Sequence, residues 1–531
     1  MIKVSKIGPL FLLALGIMWT GATAQEPAPA TKPKPPASKE GTDKEGAARP
    51  EKSEKLVTSR HSITVGGAKL EYEATAGTLT LKDDDGKARA SMFFVAYTKV
   101  GATPAKQRPL TFAFNGGPGS SAVWLHLGVL GPKRVVLEEK GKSVAPPYRL
   151  VDNEATLLDQ TDLVFIDPVS TGYSRPAAGV EAKLFHGVQE DIDSIGAFIR
   201  QYVTRFNRWE SPKFLIGESY GTTRAAGLAD HLQDREGISL NGIVLVSVVL
   251  NFGTIRFEEG NDLPYVLYLP GYTATAWYHK KLPADLQGDL KKALAEAEKF
   301  AVDEYAAALL KGNTLSSAEQ QRVSAKLARL TGLSEDYVRR SNLRIDSSRF
   351  RKELLREERR TVGRFDSRFP GMDLDAAGDR PEYDPSYIIV QGPFTALVND
   401  YLRNELKYES DLEYRILTDK VQPWNYGSAR NRYLNTAPAL RRAMTKNPGL
   451  RVLVANGIYD LATPYFATRY TFNQLGLDPS LAGNVTIEEY PAGHMMYINE
   501  ASLTKLKGDV AKWLRGDVPA GPAAGNGAGK D

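Results

Sequence analysis

Between residues 56 and 100, apolar and polar positions alternate, with turn residues between short runs. His61-Ser62-Ile63-Thr64-Val65, Leu70-Glu71-Tyr72 and residues 91–97 predict antiparallel strands, with Asp83-Asp84-Asp85-Gly86 as a hairpin turn. From residue 110 the rhythm changes. The runs 110–114, 163–166, 214–216, 242–250 and 450–455 are almost continuously apolar. Each ends in a glycine-rich or acidic turn, and helical stretches separate them. Such runs predict an α/β protein whose mostly parallel central sheet is buried on both faces.

The sheet signal breaks off between residues 251 and 447. Charged segments with helical spacing at 286–311, 316–330 and 334–340 predict a mostly helical insertion, or cap, there. The core is thereby divided into 56–250 and 448–516, and the cap would lie over the sheet's carboxyl edge, where α/β proteins place their sites. The Arg- and Glu-rich run 349–360 reads as a solvated face.

At the start, Lys3 and Lys6 precede an apolar run over 7–19 and the small residues Ala22-Thr23-Ala24. Residues 1–24 read as a signal peptide, too short to anchor stably in a bilayer, with an uncleaved anchor as the alternative. Residues 25–55 are Pro, Ala, Lys, Glu, Gly and Thr with little to bury, so a disordered linker is expected, and 517–531 is a flexible tail of the same character.

The 531 residues exceed one compact domain, and 42% hydrophobic with 25% charged residues is ordinary for a globular protein. A net charge of +5 is small for this length and asks for no nucleic-acid partner. The chain has no cysteine, which removes disulfides, thiolate metal sites and cysteine nucleophiles. Together with the signal peptide this points to the periplasm or the outside medium, without stable membrane insertion after cleavage. No metal or organic cofactor is implied, and nothing speaks to oligomeric state.

Four features carry chemistry. Gly217-Glu218-Ser219-Tyr220-Gly221 follows an apolar strand and precedes Ala225, Leu228, Ala229 and Leu232 at helical spacing. That is the strand–turn–helix setting of a nucleophile elbow, with Ser219 as nucleophile. Asn115-Gly116-Gly117-Pro118-Gly119-Ser120-Ser121 also follows a strand and can turn backbone N–H groups towards an oxyanion. Gly117 and Tyr220, the residue after the serine, would form the hole. A phosphate loop would need a Gly-Lys-Ser/Thr end, which is missing.

A serine needs a base. Of the six histidines, His494 alone sits in a turn after a late strand, behind Pro491-Ala492-Gly493. The base in turn needs an acid to hold its tautomer. Asp460 ends the turn after the strand 452–455, with Glu488 or Glu489 as alternatives. The order Ser219, Asp460, His494 is the one the α/β-hydrolase fold uses.

At these residues the sequence resembles the serine carboxypeptidase family. The resemblance rests on 115–121, on Asp167-Pro168-Val169-Ser170-Thr171-Gly172-Tyr173-Ser174, on 217–221, on Asp460 and on Ala492-Gly493-His494-Met495. It implies an α/β-hydrolase fold and release of C-terminal residues from peptides with a free C-terminus, usually at acidic pH. It further implies that Asn115, Gly116 and Glu218 help hold the substrate's terminal carboxylate, while Met495 lines the pocket for the leaving residue. Three positions depart from the family pattern. Val129 stands where the second carboxylate-clamp glutamate is expected, Ser120 replaces a common disulfide cysteine, and Met496-Tyr497 replaces a common Val-Pro. The first departure keeps an esterase or acyltransferase on the same triad open, with a silent envelope binding protein as a third reading.

Overall fold

A strand apolar at every position must be covered on both sides, and the computed structural model, which describes residues 54–102, 107–137 and 145–517, shows how that is done. The antiparallel entry comprises β1 (Leu56–Val65), β2 (Ala68–Lys82) and β3 (Ala88–Lys99). The parallel part comprises β4 (Leu110–Phe114), β5 (Asp162–Ile166), β6 (Lys213–Glu218), β7 (Gly242–Val246), β8 (Arg451–Gly457) and β9 (Val485–Tyr490). The sheet order is β1-β2-β3-β5-β4-β6-β7-β8-β9, with the short strand Arg175–Pro176 also on β3. Strand β3 meets β5 antiparallel, and every pair from β5 to β9 is parallel.

Side chains of one strand point alternately to two cores. Phe214, Ile216, Val244, Val246, Leu453 and Ala455 enter one, while Leu215, Ile243, Leu245, Val452 and Val454 enter the other. The second core is closed by α1 (Val188–Arg205), α2 (Tyr220–Arg235) and a helix at Ala437–Lys446. The first is closed by the helical segment around Trp124, by the helix Pro385–Asp400 and by the C-terminal helix Glu500–Arg515. Each buried aliphatic or aromatic side chain contributes roughly 1.5–3 kcal/mol by leaving water, which explains why these runs dominate the fold.

Between β7 and β8 lie, among others, α3 (Leu263–Tyr278), α4 (Leu290–Phe300), α5 (Ser317–Thr331) and α6 (Ser347–Glu353). They enclose a third core in which Tyr272 stacks on Phe350 at 4.0 Å. Leu461, from the turn after β8, belongs to that core and ties it to the sheet. Among the described residues no helix is long and apolar enough to cross a membrane.

Two expectations are corrected. The apolar run 242–250 is strand only to Val246, because Ser247 takes φ = 52° and turns the chain. The run 349–360 is not simply a solvated face: Arg351 and Lys352 are buried, and Lys352 Nζ donates to Asp373 Oδ2 at 2.5 Å and to the Asp375 carbonyl at 2.6 Å. A helical charge run shows which residues are charged but not where a neighbouring loop will fold over them. The expected signal peptide, the linker to residue 53 and the tail from 518 lie outside the described residues.

Candidate active site

Ser219 joins β6 to α2 at φ = 60°, ψ = −127°, a conformation that side-chain-bearing residues rarely adopt and that marks stored strain. The flanking glycines make the turn possible. A Cβ on Gly217 would lie 2.2 Å from the Gly221 carbonyl oxygen, and one on Gly221 would lie 2.8 Å from that of Phe114. Serine at a helix start ordinarily caps it. Here the Ser219 hydroxyl makes no capping bond and is left for other partners.

The strand order brings the three expected residues to one edge of the sheet. Ser219 N–H donates to the Val246 carbonyl at 3.0 Å, and Ser247 N–H donates to that of Ala455 at 2.8 Å. The Ser247 hydroxyl then donates to the His494 carbonyl at 2.6 Å. The turns after β8 and β9 touch without side chains between them, since a Cβ on Gly457 would lie 2.1 Å from the Gly493 carbonyl oxygen.

That close approach places His494 Nδ1 2.7 Å from Asp460 Oδ2, with both residues buried. Asp460 is itself held at every oxygen. Oδ1 accepts from the N–H groups of Ala462 and Thr463 at 2.7 and 3.0 Å, and Oδ2 also accepts from the Thr463 hydroxyl at 2.7 Å. Burial alone would pull the imidazole's pKa down. The charge and hydrogen bond of Asp460, joined by the charge of Glu218, outweigh it, so His494 lies above its ordinary value. Glu488 and Glu489, the alternative acids, are engaged elsewhere: Glu488 with Lys505, and Glu489 with Arg469 at 2.6 Å.

Glu218 precedes the serine and is 3% exposed. Burial pushes its carboxyl up to about 7, opposed by the His494 charge and by the Tyr497 hydroxyl, which donates to Oε2 at 2.7 Å. Asn115 lies beside it. Asn115 Oδ1 accepts from Leu125 N–H at 3.1 Å, and its side chain also bonds the Glu218 carboxyl. The backbone of this loop runs against the nucleophile turn: a Cβ on Gly116 would lie 2.3 Å from Tyr220 N. Gly117 follows at φ = 103°. Tyr220 N–H is the first of α2 and so has no acceptor within the helix. Met495 is buried in the core that also holds Tyr497. Val129 is buried in that core with Ile216, two residues before Glu218, and carries no polar atom towards it.

Several contributors were not singled out from the sequence. Arg224 is 1% exposed; it grips Asp191 at 2.7 and 3.1 Å and donates through Nη1 to the Asn115 carbonyl at 2.5 Å. An arginine one and two turns before Leu228 and Leu232, on the apolar face of α2, was the available signal. Phe365, from the stretch between β7 and β8, stacks on His494 at 4.8 Å and accepts its backbone N–H at 2.6 Å; no sequence pattern marks it. Asp167, in the block 167–174, supports the glycine-rich loop rather than lining the site. Its Oδ1 accepts from Ala122 N–H at 2.9 Å, and burial pushes its pKa up to about 7.

The family profile described as serine carboxypeptidase matches residues 67–503. Serine carboxypeptidase-like 38 of Arabidopsis thaliana is 29% identical over 189 residues, covering 34% of this chain and 36% of the relative. Pheromone-processing carboxypeptidase KEX1 of Yarrowia lipolytica is 28% identical over 142 residues, 26% of this chain and 21% of the relative. The chain thus spans about a third or less of the length of these curated relatives. Among solved structures, the prohormone-processing carboxypeptidase Kex1 of Saccharomyces cerevisiae superposes with a TM-score of 0.53 at 16% identity, covering 84% of this chain and 92% of that one. The shared architecture is the α/β-hydrolase fold.

Proposed function

The chain belongs to the serine carboxypeptidase family, and on that footing we propose that it is an exported serine carboxypeptidase releasing C-terminal residues from peptides. The observation that carries this reading over a general esterase is the setting of Glu218. It is a buried carboxyl beside the serine turn, raised to about 7 by burial, with the Asn115 amide and the Tyr497 hydroxyl against it. A carboxyl that is protonated can donate to a substrate's terminal carboxylate, whereas an ionised one repels it. Asn115 Nδ2 and the Gly116 backbone join Glu218 in the clamp, and Met495 lines the pocket for the leaving residue.

In the reaction, Ser219 Oγ attacks the scissile carbonyl as its proton passes to His494 Nε2. Gly117 and Tyr220 N–H groups stabilise the oxyanion. The tetrahedral intermediate collapses with the His494 proton going to the leaving amine, which departs with the free carboxylate and leaves an acyl group on Ser219. Water then attacks with His494 again as base, releasing the shortened peptide and restoring the hydroxyl.

Protonated Glu218 beside neutral His494 is the working state. Each group favours charge on the other, so protonation of Glu218 removes the smaller support for the imidazolium, while the larger one, Asp460, stays. The pair titrates together, and peptide affinity should be present below about pH 7 and be lost as pH rises through it, because Glu218's pKa is raised to about 7. Residues 251–447 act as the cap, through which Phe365 covers the histidine, and residues 1–24 direct export.

The test is hydrolysis of an N-blocked dipeptide with a free carboxylate beside its C-terminal amide and ester, in wild type and Ser219→Ala, from about pH 4 to about pH 8. Serine-dependent cleavage of the free acid, favoured at low pH, is the expected result. Cleavage of the ester alone, rising as His494 deprotonates, would replace this reading with an esterase, which Val129's lack of a carboxyl favours.

A further inference from the structure

Two of the departures from the family pattern lie far apart in the chain and share one core. Val129 brings no carboxyl to the clamp and packs in the core beside Ile216. Tyr497 stands where a proline is common, and its hydroxyl reaches Glu218 Oε2 at 2.7 Å from a ring that is 4% exposed. The neighbouring glycine makes room for that ring: a Cβ on Gly128 would lie 2.4 Å from Tyr497 Cε2.

We infer that Tyr497 is the second member of the carboxylate clamp, a positioning residue whose phenol holds Glu218 for the substrate's C-terminal carboxylate in place of a second acid. This rests on the carboxypeptidase reading above. Oε2 accepts from the phenol, the Asn115 side chain also bonds the carboxyl, and the acid's own hydroxyl is the group that donates to the substrate. Asn115 Oδ1 is already taken by Leu125 N–H, so its amide can only donate. The clamp therefore offers donors alone to an incoming carboxylate, as its charge requires.

A phenol and a carboxyl differ in how they titrate. The groups facing Glu218 are Asn115 from the glycine-rich loop, Asp460 from the turn after β8, and His494 and Tyr497 from the turn after β9. Burial drives Tyr497 further above its ordinary value, so it stays a donor throughout the working range. Two acids sharing a proton would gain a second negative charge as pH rises, but this pair gains only the charge on Glu218. Of the clamp's own groups, Glu218 alone should therefore oppose free-acid binding as pH rises.

The decisive comparison is Tyr497→Phe against wild type on the free-acid dipeptide and its amide, from about pH 5 to about pH 9. The ratio of kcat/KM for free acid over amide should fall about tenfold, carried by KM more than by kcat, as expected for one charge-assisted hydrogen bond. The pH at which KM for the free acid rises should move upward, because the phenol favours the ionised carboxyl that has lost it. Gly128→Ala, which displaces the ring while keeping its hydroxyl, should reproduce the fall in the ratio. A wild-type preference for the free acid that survives both substitutions overturns the inference, as does an equal loss on both substrates with the pH midpoint unmoved. Absence of any free-acid preference in wild type instead overturns the carboxypeptidase reading on which it stands.

Discussion

Replacing Asp460 by asparagine changes one atom and should cost nearly all turnover. Two of the hydrogen bonds to the aspartate come from the backbone N–H groups of Ala462 and Thr463, which can only donate, and both end on Oδ1. An asparagine must keep its carbonyl oxygen there, which turns its NH2 group to the place of Oδ2. That atom now faces His494 Nδ1 at 2.7 Å. A donor opposite Nδ1 forces the ring's proton onto Nε2, the nitrogen that must accept the serine proton. The loss of charge adds to this, since Asp460 is the main support for His494's raised pKa against the lowering effect of burial. A wrong tautomer in a Ser-His-Asp triad typically costs about 10⁴-fold in kcat, or about 5.5 kcal/mol of barrier at about 1.4 kcal/mol per tenfold. Single-turnover hydrolysis of the free-acid dipeptide and the rate of organophosphonate labelling at Ser219 both report the step. A folded Asp460→Asn enzyme retaining more than about a tenth of wild-type kcat would refute the assignment of Asp460 as orienter.

Gly116→Ala should lower kcat by about 10²-fold with a smaller change in KM, because the added Cβ would sit 2.3 Å from Tyr220 N and push an oxyanion donor away; steady-state kinetics would show whether kcat carries the loss. Arg224→Met leaves Asp191 buried without its partner and releases the Asn115 carbonyl, so urea unfolding should show a loss of about 3–5 kcal/mol. Stability should also decline from pH 5 to pH 8. Glu218 and Asp167 have folded pKa values raised to about 7 by burial, so their protonated forms stabilise fully below the unfolded carboxylate range, and that stability is lost as pH rises through about 7. His494, also raised, acts in the same direction. Each acid can withdraw on the order of 2–4 kcal/mol, and Asp167→Asn should flatten the fall in Tm between these pH values; an unchanged slope would count against a neutral Asp167.

Much of the fold could be read from periodicity alone. A run such as Phe112 to Phe114 or Val452 to Ala455 has no polar face, so it had to lie inside a sheet covered on both sides, and it does. The strained serine turn was equally legible, because Gly217 and Gly221 answer a local steric demand that appears in the sequence at the place where it acts. The run 242–250 was read too long because apolarity marks burial, whereas strand ends are decided by backbone bonds such as that from Ser247 N–H to the Ala455 carbonyl.

What the sequence by itself determined is therefore local or periodic: the α/β alternation, the strained serine, and the order of Ser219, Asp460 and His494 along the chain. The tertiary structure alone decided which distant groups share a buried space. Glu218 meets Tyr497 across 279 residues, and Arg224 meets the Asn115 carbonyl across 109. No local rule links such positions. Their pairing follows from the sheet order and from the requirement that a polar group removed from water find a partner, and that requirement is met in three dimensions rather than along the chain.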